Sequence, residues 1–594
     1  MLNFHLISGS QDSSITDGGY GYDMVVAVTQ SAINNGIKMY IYYMDEDTFI
    51  EAYDEDGVYI DYREVLKAIN DPNIPPTSPD YIDLFNIDPV KPTEREKEAI
   101  EAAKKFGMRY AAKARLGMPK GVKPTDMHKS VDLKTGNGKT ECCYYYAYFA
   151  EFEPLIIGEN DDHETELVHY VQSNSNPWVF TYLVNLGLQD ESYNDVPTQV
   201  QDEMKQTHPT VTDFDSMFSI QSLVIKFSTA SFAESPSDLP GGEKYKKYIE
   251  NIFMWSYMHA IVKAGGVSLG YTMKEKNHVN SNSVIVPTNY DFCISEFSDP
   301  SKTDLYTLNY LVALDNKPLP EKRMPFKWDW VDEGENIDGV MAISRAKIYE
   351  LLKGEFEPII NGLTLEPTIK VEIDNPVTAH FTYGMHHVDV NAQYSEYPGP
   401  GTTSDDPKWL ECNFRSYKED SDTFVPIWGN MSSEYTINST LKVQKPEKED
   451  QLQNVIICET RVKCWLHVNV CGGVSEGNIY DHTLTSKVTV QIDGDGTVHF
   501  KTGDMTDKDN GTTFEISTWS KIIAIDFTDL IKGVIETITG RIDSAISSYK
   551  NSFIRDIEGT NDWLFPGMKT FAFKNVEFSK SQDLTTELKY CTPE

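Results

Sequence analysis

Several short runs carry residue types that chemistry uses, and each is one step short of its motif. Gly138-Lys139-Thr140 has the ending of a phosphate-binding loop. That loop needs another glycine five positions ahead of Gly138, where Leu133 stands, and a helix behind it, where a strand-like run follows. The DGDG run from Asp493 to Gly496 offers carboxylates to calcium, but Val498 and Asp504 occupy the positions where an EF-hand loop needs glycine and a bidentate glutamate. A tight turn satisfies the same residues. His386 and His387 are neighbours, so on a strand they project to opposite faces and do not share a metal. No HExxH or GxSxG occurs. With 91 carboxylates in the chain, spacing alone selects no acid–base pair. These residues nominate no catalytic group, no metal and no cofactor.

The other chemistry on offer is transfer of hydrocarbon out of water. Tyr22–Met44 carries apolar residues at Tyr22, Val25, Val26, Ile33, Ile37, Tyr40, Ile41 and Met44. That spacing paints a stripe along a helix of roughly 34 Å. The MVVAV run also suits the opening of a buried strand. The candidate ligand-binding residues are Val26, Ile33, Ile37 and Tyr40 here, and Phe253 and Tyr257 in a second helix. Ile348 and Leu352 in a third, with Val534, Ile538, Ile542 and Tyr549 in a fourth, complete the set. The competing expectation is that these side chains close a dry core, because protein interiors pack tightly.

The elements that must position them follow from pattern. A capping box, Thr93 with Glu96, starts a helix expected to run to about Leu116. Further helices are expected over about 243–263, 344–357 (closed by Pro358) and 527–553. The last keeps i, i+3, i+4 apolar spacing for over seven turns. Strands are expected over 140–157, 178–188, 218–230, 267–273 and 306–314, then almost continuously from 368 to 516. Turn signals stand at Gly136-Asn137-Gly138, Asp493-Gly494 and Asn510-Gly511, and a hairpin over 569–590 ends the pattern.

Bulk composition narrows the partners. Lys and Arg number 53 against 91 Asp and Glu, a net charge of −38. Such a chain repels phosphate backbones and anionic headgroups, so no nucleic acid partner is expected. No apolar run approaches membrane-span length and the N-terminus lacks a signal pattern, so a cytoplasmic chain without integral membrane association is expected. Non-classical release stays compatible with that expectation. The eight cysteines show no CxxC pair and read as buried thiols. Lys104, Lys105, Arg109, Lys113, Arg115 and Lys120 concentrate positive charge on one expected helix. That helix is either a solvated, paired face or a dock for an acidic partner.

Taken in order, several stretches resemble the bacterial and fungal branch of the tubular lipid-binding (TULIP) superfamily, which includes OrfX-type proteins of clostridial neurotoxin clusters. They are GYDMVVAVTQSAINN at 21–35, FSIQSLVIKFSTASF at 218–232, VSLGYTM at 267–273, LNYLVALDNKPLP at 308–320, FKWDWVDE at 326–333 and WLFPGMKTFAFKNVEFSKSQDL at 563–584. Tyr22-Asp23 stands where that family usually has Trp-Asp. The resemblance implies an α+β chain of two modules, each a long amphipathic helix wrapped by a strongly curved antiparallel sheet. The modules would be 1–333, with 71–130 inserted, and 334–594, with the last helix able to pack on either. It also implies non-catalytic binding of a lipid or other long apolar molecule in a groove between helix and sheet. The alternatives are an interaction scaffold with filled grooves, binding a protein partner through 71–130, and a polysaccharide-acting hydrolase.

Overall fold

The fold was analysed in a computed structural model. It describes residues 12–15, 20–43, 47–134, 140–160, 163–173, 176–194, 201, 205, 215, 218–263, 267–275, 287–314, 317–321, 323–334, 336–375, 378–389, 392–396, 408–444, 453–492, 497–515, 527–558, 563–564 and 571–590. The turns expected at 136–138 and 493–494 lie outside the described residues.

The stretch 22–44 divides in two. Met24–Thr29 is a strand, and helix α1 spans Gln30–Tyr43. Val25, Val26, Val28 and Thr29 are β-branched and favour the extended chain. The strand lies between Thr307–Leu314 and Gly339–Ile343, antiparallel to both, so it is covered on both edges. The Thr29 side chain then accepts from the Ala32 N–H at 3.2 Å and caps α1. Val26 is therefore a strand residue, not a helix residue, and it opposes Tyr310 and Met341.

That strand sits inside a six-stranded sheet ordered Pro287–Ser295, Thr307–Leu314, Met24–Thr29, Gly339–Ile343, Leu584–Tyr590, Phe571–Phe578. Strands from both ends of the chain thus share one sheet. Alternation sorts its faces. Val25, Ala27, Leu311, Val340 and Ala342 meet Phe326, Trp330 and Val331 on one side. On the other, Met24 and Ile343 join the core built mainly from the second half. Val28 and Leu308 join the core built from the first half. Val26, between them, packs against both.

The other α-helices among the described residues are α2 (Tyr62–Ile69), α3 (Glu94–Phe106), α4 (Gly242–Lys263), α5 (Arg345–Asn361) and α6 (Phe527–Glu558). Helix α3 stops ten residues short of its expected end. Gly107 adopts φ 110°, the left-handed conformation that ends helices, and Tyr110–Arg115 becomes a strand between Phe49–Tyr53 and Glu151–Glu159. Three of the six basic residues pair with neighbours: Lys104 with Glu159 at 2.9 Å, Arg115 with Glu151 at 3.2 Å and Lys113 with Glu153 at 3.6 Å. The capping box is as expected, with the Thr93 N–H donating to Glu96 at 2.6 Å and the Glu96 N–H to Thr93 at 3.3 Å. Thr93→Ala should cost about 1 kcal/mol in a urea melt, the usual loss for an N-cap. Pro358 does not close α5, which continues to Asn361.

The expected fold class does not hold. Strand accounts for 46% of the structure and helix for 23%, in several separate sheets, none strongly curled. Among the described residues, no long helix is wrapped by a sheet. The reason is visible on α6. Ile531, Val534, Ile538, Ile542, Ile546 and Tyr549 are buried, while Lys532, Glu536, Thr537, Gly540, Arg541 and Ser544 are exposed. A clasped helix needs apolar residues on all sides. This one has a single apolar stripe and rests that stripe on α5 and on strands Thr378–His387 and Thr497–Thr502. Those strands belong respectively to a two-stranded sheet and to an eight-stranded sheet running from Gln393–Glu396 to Trp563–Leu564.

Candidate functional site

Two helices bring the predicted residues of the first half together. Helix α1 is fixed by two polar side chains on its buried face. The Asn34 side chain accepts from the Ser130 and Val131 N–H groups at 2.9 and 2.8 Å and donates to the Val131 carbonyl at 2.9 Å. Gln30 accepts from the Leu133 N–H at 2.6 Å. On that same buried face Ile33 and Ile37 turn into the core shared with α4. Helix α4 contributes Phe253 and Tyr257 to that core. Phe253 is fully enclosed, stacked on Phe180 with centroids 3.9 Å apart, and touches the rings of Phe149, Phe152 and Tyr257.

Between the two helices lies a small cavity. Ile37 and Ile41 of α1 face Tyr257 and Ile261 of α4, and Tyr145, Tyr148, Leu116 and Val267 complete the walls. Its free volume is about 10 Å³, room for about one water. The Tyr145 and Tyr257 hydroxyls are hydrogen-bonded at 2.7 Å, a polar point in an apolar wall. Burial drives the Tyr148 phenol above its ordinary pKa, opposed by the Ser130 hydroxyl beside it. It therefore stays protonated near neutral pH and keeps a proton to donate.

The other predicted residues lie elsewhere. Ile348, Leu352, Val534, Ile538, Ile542 and Tyr549 are buried in the second core, away from Ile37 and Tyr257. There the Tyr549 hydroxyl lies 3.1 Å from that of Thr460. Tyr40 is on α1, but its side chain lies outside the described residues. Sequence reasoning missed Tyr145, Tyr148, Ile41 and Ile261. The cluster of tyrosines at Tyr144, Tyr145, Tyr146 and Tyr148 was the available signal for an aromatic wall.

Near the surface end of α4, polar residues form a chain. Ser256 is 3.3 Å from the Tyr53 hydroxyl, Tyr53 donates to Glu51 at 2.6 Å, and Glu51 meets His259. Serine, histidine and carboxylate are all present, but the serine meets tyrosine in place of histidine. A hydroxyl nucleophile needs its base on that oxygen, so the order of contacts describes a structural relay.

No family model matches the chain, and no curated protein matches it. Among solved structures it is similar to lipopolysaccharide binding protein, at 8% identity and a TM-score of 0.30, over 96% of this chain and 100% of that one. A likeness at that level carries no argument. The resemblance to tubular lipid-binding proteins thus stands on the short sequence stretches alone. Among the described residues, no helix is long and apolar enough to cross a membrane.

Proposed function

We propose that the chain is a non-catalytic binding protein for an apolar, lipid-like ligand, taken between α1 and α4. The observation that supports this reading is the cavity where Ile37, Ile41, Tyr257 and Ile261 converge around unfilled space, with the Tyr145–Tyr257 hydroxyl pair at its wall. Each methylene moved from water into such a lining contributes about 0.8 kcal/mol. The hydroxyl pair offers a hydrogen bond to a carboxyl or ester end. The present free volume of about 10 Å³ is far below the ~300–1,000 Å³ of a formed ligand pocket, so uptake requires α1 and α4 to part.

Two measurements test it together: mass spectrometry after organic extraction of the purified chain, and titration with a fluorescent fatty acid and a fluorescent phospholipid. Recovered lipid, or saturable uptake weakened several-fold by Tyr257→Phe, is the expected result. An empty extract with no uptake of either probe contradicts it.

That empty result is what the second reading predicts, a binding scaffold with filled cores. It is favoured by Ile348, Leu352, Ile538 and Ile542, none more than 3% exposed. Its protein partner would bind through 71–130, where Lys104, Lys113 and Arg115 already pair with glutamates.

A further inference from the structure

In the eight-stranded sheet, Lys408–Phe424 and Ile427–Val443 form a long hairpin joined only by Val425 and Pro426. Turns of this length ordinarily carry glycine, asparagine or aspartate. Here residues 424–428 read Phe-Val-Pro-Ile-Trp. Val425 is 83% exposed, and Phe424 and Trp428 are exposed beside it. A run of exposed apolar residues like this is a defect in a soluble surface unless something covers it.

The next hairpin ends alongside. Val455–Val470 turns into Gly473–Ile492 through Cys471 and Gly472, and Val474 is exposed there. Gly429 pairs with Val470, and the Cys471 N–H donates to the Trp428 carbonyl at 3.0 Å, so the two ends form one apex. Residues 423–430 and 468–475 contain no charged side chain, although 24% of the chain is charged and about four would be expected.

Two of the nearest charges are tied to a neighbouring strand. Asp420 accepts from the Val371 N–H at 2.8 Å and Asp422 from the Ile373 N–H at 2.7 Å. Those bonds tie the hairpin to strand Leu365–Asn375 and stiffen it. Glu476 is engaged by His467 at 3.0 Å.

We propose that this apex docks on the surface of a zwitterionic lipid bilayer. Shape selects a fluid layer over a folded partner. Phe424 and Ile427 oppose each other and share one face of the ribbon, while Trp428, opposite Thr423, projects from the other. A rigid surface covers one face, whereas hydrocarbon flows around both. Trp428 brings an indole N–H to the headgroup level, the position tryptophan favours in membranes. Charge selects the lipid. A chain of net charge −38 with Asp420, Asp422 and Glu476 behind the apex is repelled by anionic headgroups and tolerated by zwitterionic ones. This inference stands on the hairpins and does not depend on the α1–α4 cavity.

The test is flotation of the full chain with phosphatidylcholine vesicles, with and without phosphatidylserine, and quenching of tryptophan fluorescence by brominated phosphatidylcholine. Binding to phosphatidylcholine is expected, weakening as phosphatidylserine is added. Val425→Asp with Trp428→Asp should reduce it at least about tenfold, since each buries a carboxylate in place of an apolar group. Val58→Asp, at an exposed apolar site away from the apex, should not change it. Circular dichroism checks that each variant folds. Absence of flotation, flotation unaffected by the double substitution, or an apex-dependent dimer without vesicle binding overturns the proposal. The last outcome would assign the apex to a second copy of the chain.

Discussion

Asp583→Ala should lower stability by about 3–5 kcal/mol, one of the two largest effects expected of a single substitution here. Asp583 is 1% exposed and holds together segments hundreds of residues apart. One carboxylate oxygen accepts from the Ser13 hydroxyl at 2.9 Å and the Ile15 N–H at 2.8 Å. The other accepts from the Arg345 N–H at 2.9 Å, in the first turn of α5. The site suits an anion, since amides at a helix N-terminus present positive potential. Alanine removes the acceptor and leaves buried donors facing nothing, each worth about 1–3 kcal/mol. Asparagine keeps one acceptor oxygen and should fall between the two. Equilibrium urea unfolding measures this. A loss under about 1 kcal/mol for the alanine variant would mean that these donors reach water or other acceptors, and that the carboxylate does not hold the ends together.

Phe253→Ala should cost about 3–5 kcal/mol, the range for deleting a buried ring whose neighbours cannot follow it. Its neighbours are themselves rings held by other elements: Phe149, Phe152, Phe180 and Tyr257. They cannot all collapse inward, so a void should remain against Tyr257, beside the α1–α4 cavity. An apolar void stays dry and takes up small aromatic molecules. Benzene should therefore raise the thermal midpoint of the variant and leave the original chain unchanged. A small loss of stability with no response to benzene would show that this core closes readily, and the cavity beside it would then be an incidental packing gap.

How much of this could be read from the sequence depends on the range of the interaction. Helices α4, α5 and α6 are close to their expected positions because their signal is a local period of 3.6. The hairpin at Phe571–Phe578 and Leu584–Tyr590 was legible for the same reason, as alternation around a turn. Met24–Thr29 was misassigned because its apolar residues fit a helical stripe and a buried strand alike. What decides is pairing with Thr307–Leu314 and Gly339–Ile343, about three hundred residues away. No local pattern encodes that. The end of α3 could have been placed at Gly107, since glycine followed by Tyr110-Ala111-Ala112 marks a stop as well as Gly117 does.

The wrapped-helix architecture was an inference from resemblance, and the sequence held evidence against it. Lys532, Glu536 and Arg541 all lie outside the apolar stripe of the last helix and are exposed, and charged residues there leave no face for a second layer of sheet. The site was legible in part. Ile37 and Tyr257 reach the cavity, while the α5 and α6 residues belong to a different core. Asp583 was invisible for a physical reason: a buried carboxylate gives no periodic signal, and its partners are distant in the chain.

The most direct test of the binding account is a crystal structure of the chain soaked or grown with a bromine-labelled fatty acid, read by anomalous scattering. The account predicts a bromine peak between α1 and α4, beside Ile37 and Tyr257, with the helices further apart than they are now. Bromine located only against α6 or the outer surface, or none bound while the helices keep their present separation, would contradict it.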